Sequence, residues 1–172
     1  MKIKKIHHAA YRCKNSKETV EWYKNYLNMD FVLAIAENQV PSTKAPDPYM
    51  HIFLDAGAGN ILAFFELPNS PEMGSDPNTP DWVQHLAFEI GSMEELREIK
   101  AKLEADGIDV VGPTNHTIFQ SIYFFDPSGH RLELVVNTNT PEMDSKLDQV
   151  KWEMLEEWDQ TKIAPAHARW MH

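Results

Sequence analysis

The chain has 172 residues, 42% of them hydrophobic and 24% charged, with a formal net charge of −10. That length suits one domain, or two small halves sharing a core, and the composition is that of an ordinary globular protein and not a disordered or fibrous one. The acidity excludes a phosphate-backbone partner, because nucleic-acid binders carry a basic patch and none is visible here; its expected effect is solubility. No apolar run approaches the ~20 residues of a membrane span. The N-terminal Met1-Lys-Ile-Lys-Lys lacks an apolar stretch behind its basic residues, so no signal peptide is expected. The one cysteine, Cys13, makes no internal disulfide, and a cytoplasmic location follows.

In chain order, the first element is a β-like run, Ile6-His-His-Ala-Ala-Tyr-Arg-Cys-Lys-Asn15, stopping at a helix N-cap. An amphipathic helix over 16–28 follows, with Val20, Trp22, Tyr23, Tyr26 and Leu27 apolar and Asn28 as the stop. Strands are predicted over 30–37, 49–56 and 60–66, punctuated by Gly57 and Gly59. The segment 38–48, with Pro41, Pro46 and Pro48, reads either as an ordinary loop or as a lid. A Pro-rich stretch over 67–81 reads as a linker.

The pattern then recurs. Val83-Gln-His-Leu-Ala-Phe-Glu-Ile-Gly-Ser92 repeats the first run, with His85 placed 77 residues after His8 and Ser92 placed 77 after Asn15. Each cap is followed three residues later by a glutamate, Glu18 and Glu95, which is capping-box spacing. A second helix is predicted over 93–106, with Met93, Leu96, Ile99 and Leu103 at helical spacing and Gly107 as the stop. Strands over 108–112, 120–126 and 130–136 complete the copy. Each half therefore reads β-α-β-β-β. A third helix over 142–161 carries Met143, Leu147, Val150, Met154, Leu155 and Trp158 as an apolar stripe suited to packing or to a dimer contact.

Successive strand residues face opposite sides, so alternation assigns faces. Leu86, Phe88 and Ile90 oppose His85, Ala87 and Glu89. Leu132, Leu134 and Val136 oppose Arg131, Glu133 and Val135. Ala9, Tyr11 and Cys13 oppose His8, Ala10 and Arg12. His8, His85 and Glu133 all fall on the polar-dotted faces. Two histidines at equivalent points of a repeat, with an inward glutamate, make a candidate metal set, because buried charge is costly unless paired or metal-bound. His7 falls on the helix-covered face by the same parity. His51, His130, His167 and His172 have no repeat partner and read as surface residues.

These motifs resemble the vicinal oxygen chelate superfamily, which includes glyoxalase I, the bleomycin and fosfomycin resistance proteins and the type I extradiol dioxygenases. The matching stretches are Ile6-His-His-Ala-Ala-Tyr-Arg-Cys, Glu21-Trp-Tyr-Lys-Asn-Tyr-Leu, His85-Leu-Ala-Phe-Glu-Ile and Ser121-Ile-Tyr-Phe-Phe-Asp-Pro-Ser-Gly-His-Arg-Leu-Glu133. The last is the most specific, since the family's terminal carboxylate ligand sits four residues after the glycine, as Glu133 does after Gly129. The resemblance implies an α+β fold of two tandem βαβββ modules, 3–67 and 82–138, forming a curved open sheet around a metal-binding cleft. A domain over 1–138 then carries a C-terminal helical extension over 139–172. It also implies one divalent cation on His8, His85 and Glu133, a small-molecule substrate that chelates it through adjacent oxygens, and a homodimer.

Chemistry within that superfamily divides on a fourth ligand from the first module's last strand, which glyoxalase-type isomerases have and dioxygenases lack. Four residues after Gly59 stands Ala63, which cannot ligate; Glu66, three further on, has the opposite parity and is the alternative fourth ligand. Tyr123, ten residues before Glu133, matches the tyrosine that the dioxygenases place beside the catecholate oxygen, and His116 lies in the loop of their acid/base histidine, at a shorter spacing. Asn60 stands where that family pattern has a further histidine. The leading expectation is an extradiol-dioxygenase-like Fe(II) enzyme using O₂, with Tyr123 and His116 as catalytic groups. The rivals are a glyoxalase-type isomerase or lyase, with zinc, nickel or manganese among the alternative metals, and a non-catalytic drug-binding protein.

Overall fold

The computed structural model describes residues 1–171, so the surface reading of His172 lies outside the described residues. The element order is β1 (Ala9–Cys13), α1 (Ser16–Leu27), β2 (Asp30–Glu37), β3 (Tyr49–Asp55), β4 (Ile61–Glu66), β5 (Leu86–Glu89), α2 (Met93–Ala105), β6 (Val111–Asn115), β7 (Phe119–Phe125), β8 (Arg131–Asn137) and α3 (Pro141–Thr161), followed by a short 3₁₀ turn. The strands form two four-stranded sheets of the same order, β1-β4-β3-β2 and β5-β8-β7-β6. This is the α+β repeat expected from the sequence. The chain gathers into two compact units: Met1–Leu86 with Phe125–Leu132, and Ala87–Phe124 with Glu133–His172.

In the first unit, Asn15 caps α1 as the spacing requires, its side chain accepting from Glu18 N at 2.9 Å. Asn28 closes the helix in the left-handed conformation, with φ of 51°. Helix α1 lays Tyr23 against Phe64, ring centroids 5.2 Å apart, and both are fully buried. Ile52, Leu54 and Leu62 complete that core face. Burying each such side chain is worth roughly 1.5–3 kcal/mol. The hairpin tip of the second repeat joins this unit through Asp126, which accepts from Tyr23 Oη at 3.0 Å while its other oxygen takes the amides of Ser128 and His130. Only 5% of Asp126 is exposed, and three donors stabilise the buried charge. A β-bulge between Phe31 and Leu33 reverses the parity of β2, so that Phe31 is opposite Leu54 on the α1 side while Leu33 and Ile35 are opposite Phe53 and His51 on the other.

In the second unit, Ser92 caps α2, accepting from Glu95 N at 3.2 Å, while its hydroxyl, and not its backbone amide as a full capping box would have it, donates to the Glu95 carboxylate at 3.3 Å. Leu96 and Leu103 are fully buried beneath it. The next strand starts at Val111 and not at 108, because Gly107 and Ile108 are still closing the helix by donating to the Glu104 and Leu103 carbonyls. Gly107 permits this with φ of +80°. Helix α3 is capped by Thr140 and buries no residue fully; of the expected stripe Met143, Leu147, Val150 and Met154 are half-buried and Leu155 and Trp158 are exposed, as is Trp152 beside it. Among the described residues no helix is long and apolar enough to cross a membrane.

Burial and the Asp126 carboxylate push the Tyr23 phenol well above the ordinary tyrosine range. The unfolded chain therefore ionises this residue first, and the stability that neutral Tyr23 provides is present below about pH 10 and lost above it. Tyr23→Phe is expected to reduce stability by about 1–2 kcal/mol in urea unfolding at neutral pH. The loss should shrink as the pH is raised past the ordinary tyrosine pKa; a constant difference would show that the hydroxyl is not held neutral in the fold.

Candidate functional site

Glu133 lies on β8 and is 97% buried, with 3% exposure. Its Oε1 accepts a hydrogen bond of 2.8 Å from Tyr123 Oη on the neighbouring strand β7. His116 Nε2 is 2.9 Å from the same hydroxyl. A phenol has one hydrogen, and it goes to the carboxylate, so His116 donates and carries its proton on Nε2. The result is a directed chain from imidazole through phenol to carboxylate, entirely within the second unit. The turn carrying His116 is held by His116 N donating to Phe119 O at 2.9 Å, with Thr117 in the left-handed region at φ of 71°. His116 packs its ring against Phe119 at 4.7 Å. Although only seven residues separate His116 from Tyr123, the tight 116–119 turn brings the ring onto the hydroxyl.

The first unit holds the two candidate ligand histidines, His8 and His85. His8 is exposed just ahead of β1, its Nδ1 2.8 Å from His7 Nδ1. His85 is also exposed; its Nδ1 lies 3.0 Å from Val83 O, and the side chain lines a cleft of 610 Å³ with Tyr11, Lys14, Ser128, His130 and Arg131. Glu66 faces α1: its Oε2 accepts from Ser16 N at 2.6 Å, next to the buried thiol of Cys13, whose pKa burial raises. The carboxylate thus sits at the positive end of the α1 dipole, where a negative charge is stabilised. The parity argument against Glu66 as a fourth ligand has this physical form: Leu62, Phe64 and Glu66 share the helix side of β4, and Ala63 and Phe65 take the other.

Two of the residues read as surface histidines are not. His130 is half-buried, with Nε2 2.6 Å from Arg12 O. His51 is buried at 8% exposure in the middle of β3, its ring stacked 3.6 Å from Phe65 and 4.1 Å from Phe53. The His8 ring is 6.1 Å away. Burial, followed by the proximity of His8, lowers the pKa of His51. Strand parity in 49–55 already puts His51 on the face of Phe53; the absence of a repeat partner hid it. His167 fits the surface reading, paired with Glu157 at 3.2 Å.

Among the described residues no three His, Cys, Asp or Glu side chains form a ready-made metal cluster. The chemistry of the donor set nevertheless suits a divalent ion: two exposed imidazoles, and a buried carboxylate oriented by a phenol in the way that outer hydrogen bonds orient metal ligands.

Comparison with known proteins accounts for the repeat. The Glyoxalase/Bleomycin resistance protein/Dioxygenase superfamily matches residues 5–134. An uncharacterized protein of Bacillus subtilis, YwkD, is 26% identical over 138 residues, covering 78% of this chain and 98% of that protein. A crystal structure of a glyoxalase family protein from Enterococcus faecalis superposes with a TM-score of 0.56 at 28% identity, over 77% of this chain and 97% of the other. The fosfomycin resistance protein FosX of Listeria monocytogenes, solved with Mn(II) and a dihydroxypropylphosphonic acid, shares the fold at a TM-score of 0.56 and 21% identity, over 84% and 100% of the two chains.

Glu66→Ala is expected to lower stability by about 1 kcal/mol through loss of the α1 contact, while leaving metal content per chain unchanged. Metal loss in that variant, measured by elemental analysis, would return Glu66 to the ligand set.

Proposed function

The chain belongs to the Glyoxalase/Bleomycin resistance protein/Dioxygenase superfamily, and on that premise we propose that it is a metal-dependent oxygenase of the extradiol type. It holds one divalent cation, Fe(II) by preference, with His8, His85 and Glu133, and acts on a small catechol-like compound. The observation that carries this reading is the chain from His116 through Tyr123 to Glu133. A metal-ligating carboxylate in hydrogen-bond contact with a phenol is the arrangement in which that phenol stands beside a substrate oxygen. A set of two histidines and one carboxylate is the one associated with non-haem ferrous oxygenases.

When bound, the ferrous ion supplies Lewis-acid and redox chemistry. The protein's own groups do the rest. His8 and His85 would offer imidazole nitrogens as electron-pair donors. Glu133 contributes the charge, and its burial keeps water from competing for it. Tyr123 Oη, held between His116 and Glu133, would turn its one hydrogen from the carboxylate to a phenolic oxygen as that oxygen becomes anionic. His116 Nε2 holds a proton one hydrogen bond away and can pass it along the same line. The position of Glu66 against α1 speaks against the four-ligand, isomerase-type alternative. The reading extends to a cytoplasmic homodimer, for which the exposed aromatic residues of α3 are a compatible surface.

The decisive measurement is iron per chain in anaerobically purified protein, with oxygen uptake on catechols. About one iron per chain, lost in Glu133→Ala, is expected. Tyr123→Phe should keep its iron and lose roughly a hundredfold or more in kcat, in the range of a general acid–base contribution of about 10²–10⁴. Wild-type protein that takes up no metal under these conditions would end the proposal, and tight zinc binding with isomerase activity would replace it.

A further inference from the structure

In the first unit, α1 covers only one face of the sheet β1-β4-β3-β2. The other face is an apolar bed: Leu33 and Ile35 on β2, Phe53 on β3, and Ala63 and Phe65 on β4. At its centre is one polar group that nothing in the fold explains. His51 is more than nine-tenths buried, and its Nε2 has no hydrogen-bond partner. A buried polar atom left unpaired costs on the order of 1–3 kcal/mol, and any apolar residue of similar size would stack on Phe65 without that cost. Such a histidine persists when something other than the fold uses its nitrogen.

We infer that His51 is a ligand-binding residue of this face, its Nε2 engaging an oxygen of a small hydroxylated aromatic compound that lies against Phe53 and Phe65 beside His8. Three observations define that chemistry. A hydroxyl both donates and accepts, so it satisfies Nε2 in either tautomer, whereas a carbonyl satisfies only one. The walls are aromatic rings, Phe53 lying 5.8 Å from His8 and 4.1 Å from His51, which suits a flat ring in offset or edge-on contact. Ala63 is opposite Phe53 across the strand pair and puts nothing larger than a methyl group on this face. His8 is exposed and precedes the first residue of β1, so its ring can turn off His51 without breaking a ladder hydrogen bond.

This inference rests on the preceding reading for the identity of the ligand, not for the existence of the site. Binding of 4-nitrocatechol, followed by its absorbance, is to be measured on iron-loaded and on metal-free protein for wild type, His51→Leu and His51→Gln. Iron content and circular dichroism are recorded for each. A singly O-methylated nitrocatechol serves as the second probe. The expected result is a loss of about tenfold in 4-nitrocatechol affinity in His51→Leu, at unchanged iron content. Part of the affinity should return in His51→Gln, and the wild-type preference for the free diol over its methyl ether should shrink. Unchanged affinity and preference in both variants would overturn the inference. Iron loss in His51→Leu and His51→Gln alone would also overturn it, making His51 a metal donor. Absence of iron from every chain, wild type included, would count against the metal-dependent reading only, because the metal-free titrations still decide on His51.

Discussion

The two-residue period of the strands sets the terms for the rest of this protein. In the first unit, α1 takes the side of the sheet that carries Ile52, Leu54, Leu62 and Phe64, and with it the Glu66 carboxylate, which stabilises the helix N-terminus. Everything one residue out of phase is left to the opposite face: Ala63, Phe65, Phe53 and His51. A one-residue slip would exchange the two sets, turning Glu66 away from its helix and presenting Met50 or Ile52 where the histidine stands. Packing and chemistry are therefore not separate features of the sheet but its two sides.

Within that constraint, the polar groups differ in how their burial is compensated. Asp126 is buried and takes hydrogen bonds from Tyr23, Ser128 and His130, which makes it a structural anchor for the hairpin tip. Glu133 is equally buried, and Tyr123, which donates to it, belongs to a chain that ends on an imidazole able to move a proton. His51 is buried with an unpartnered nitrogen. The contrast between the compensated Asp126 and the uncompensated His51 nitrogen separates a residue that holds the fold from one available to a ligand. It also explains why the family resemblance, which singles out His8, His85, Glu133, Tyr123 and His116, passes over His51.

The helix N-caps, the helix stops at Asn28 and Gly107 and the β-α-β-β-β order are local consequences of sequence. A cap needs only a side chain and an amide three residues away, and a left-handed stop needs only a residue that tolerates positive φ. Strand parity is equally local, which is why the side taken by Glu66 was legible before any coordinates. The departures have two separate causes. The β6 start moved because the closing turn of α2 used Ile108. The α3 stripe remained uncovered at Leu155 and Trp158 because periodicity marks an apolar face without saying what packs on it.

The sequence by itself determined the doubled module, the faces of its strands, and the imidazole, phenol and carboxylate types that a divalent cation and a catechol-like oxygen would need, because spacing along one chain governs each of these. Only the tertiary structure decided which of those groups touch. Its packing joined His116 to Tyr123 and Glu133 across a tight turn and two strands, set Asp126 beneath Tyr23 from 103 residues away, and enclosed His51 between aromatic rings beside His8. Hydrogen bonds and burial are fixed by neighbours in space, and no period in the sequence records them.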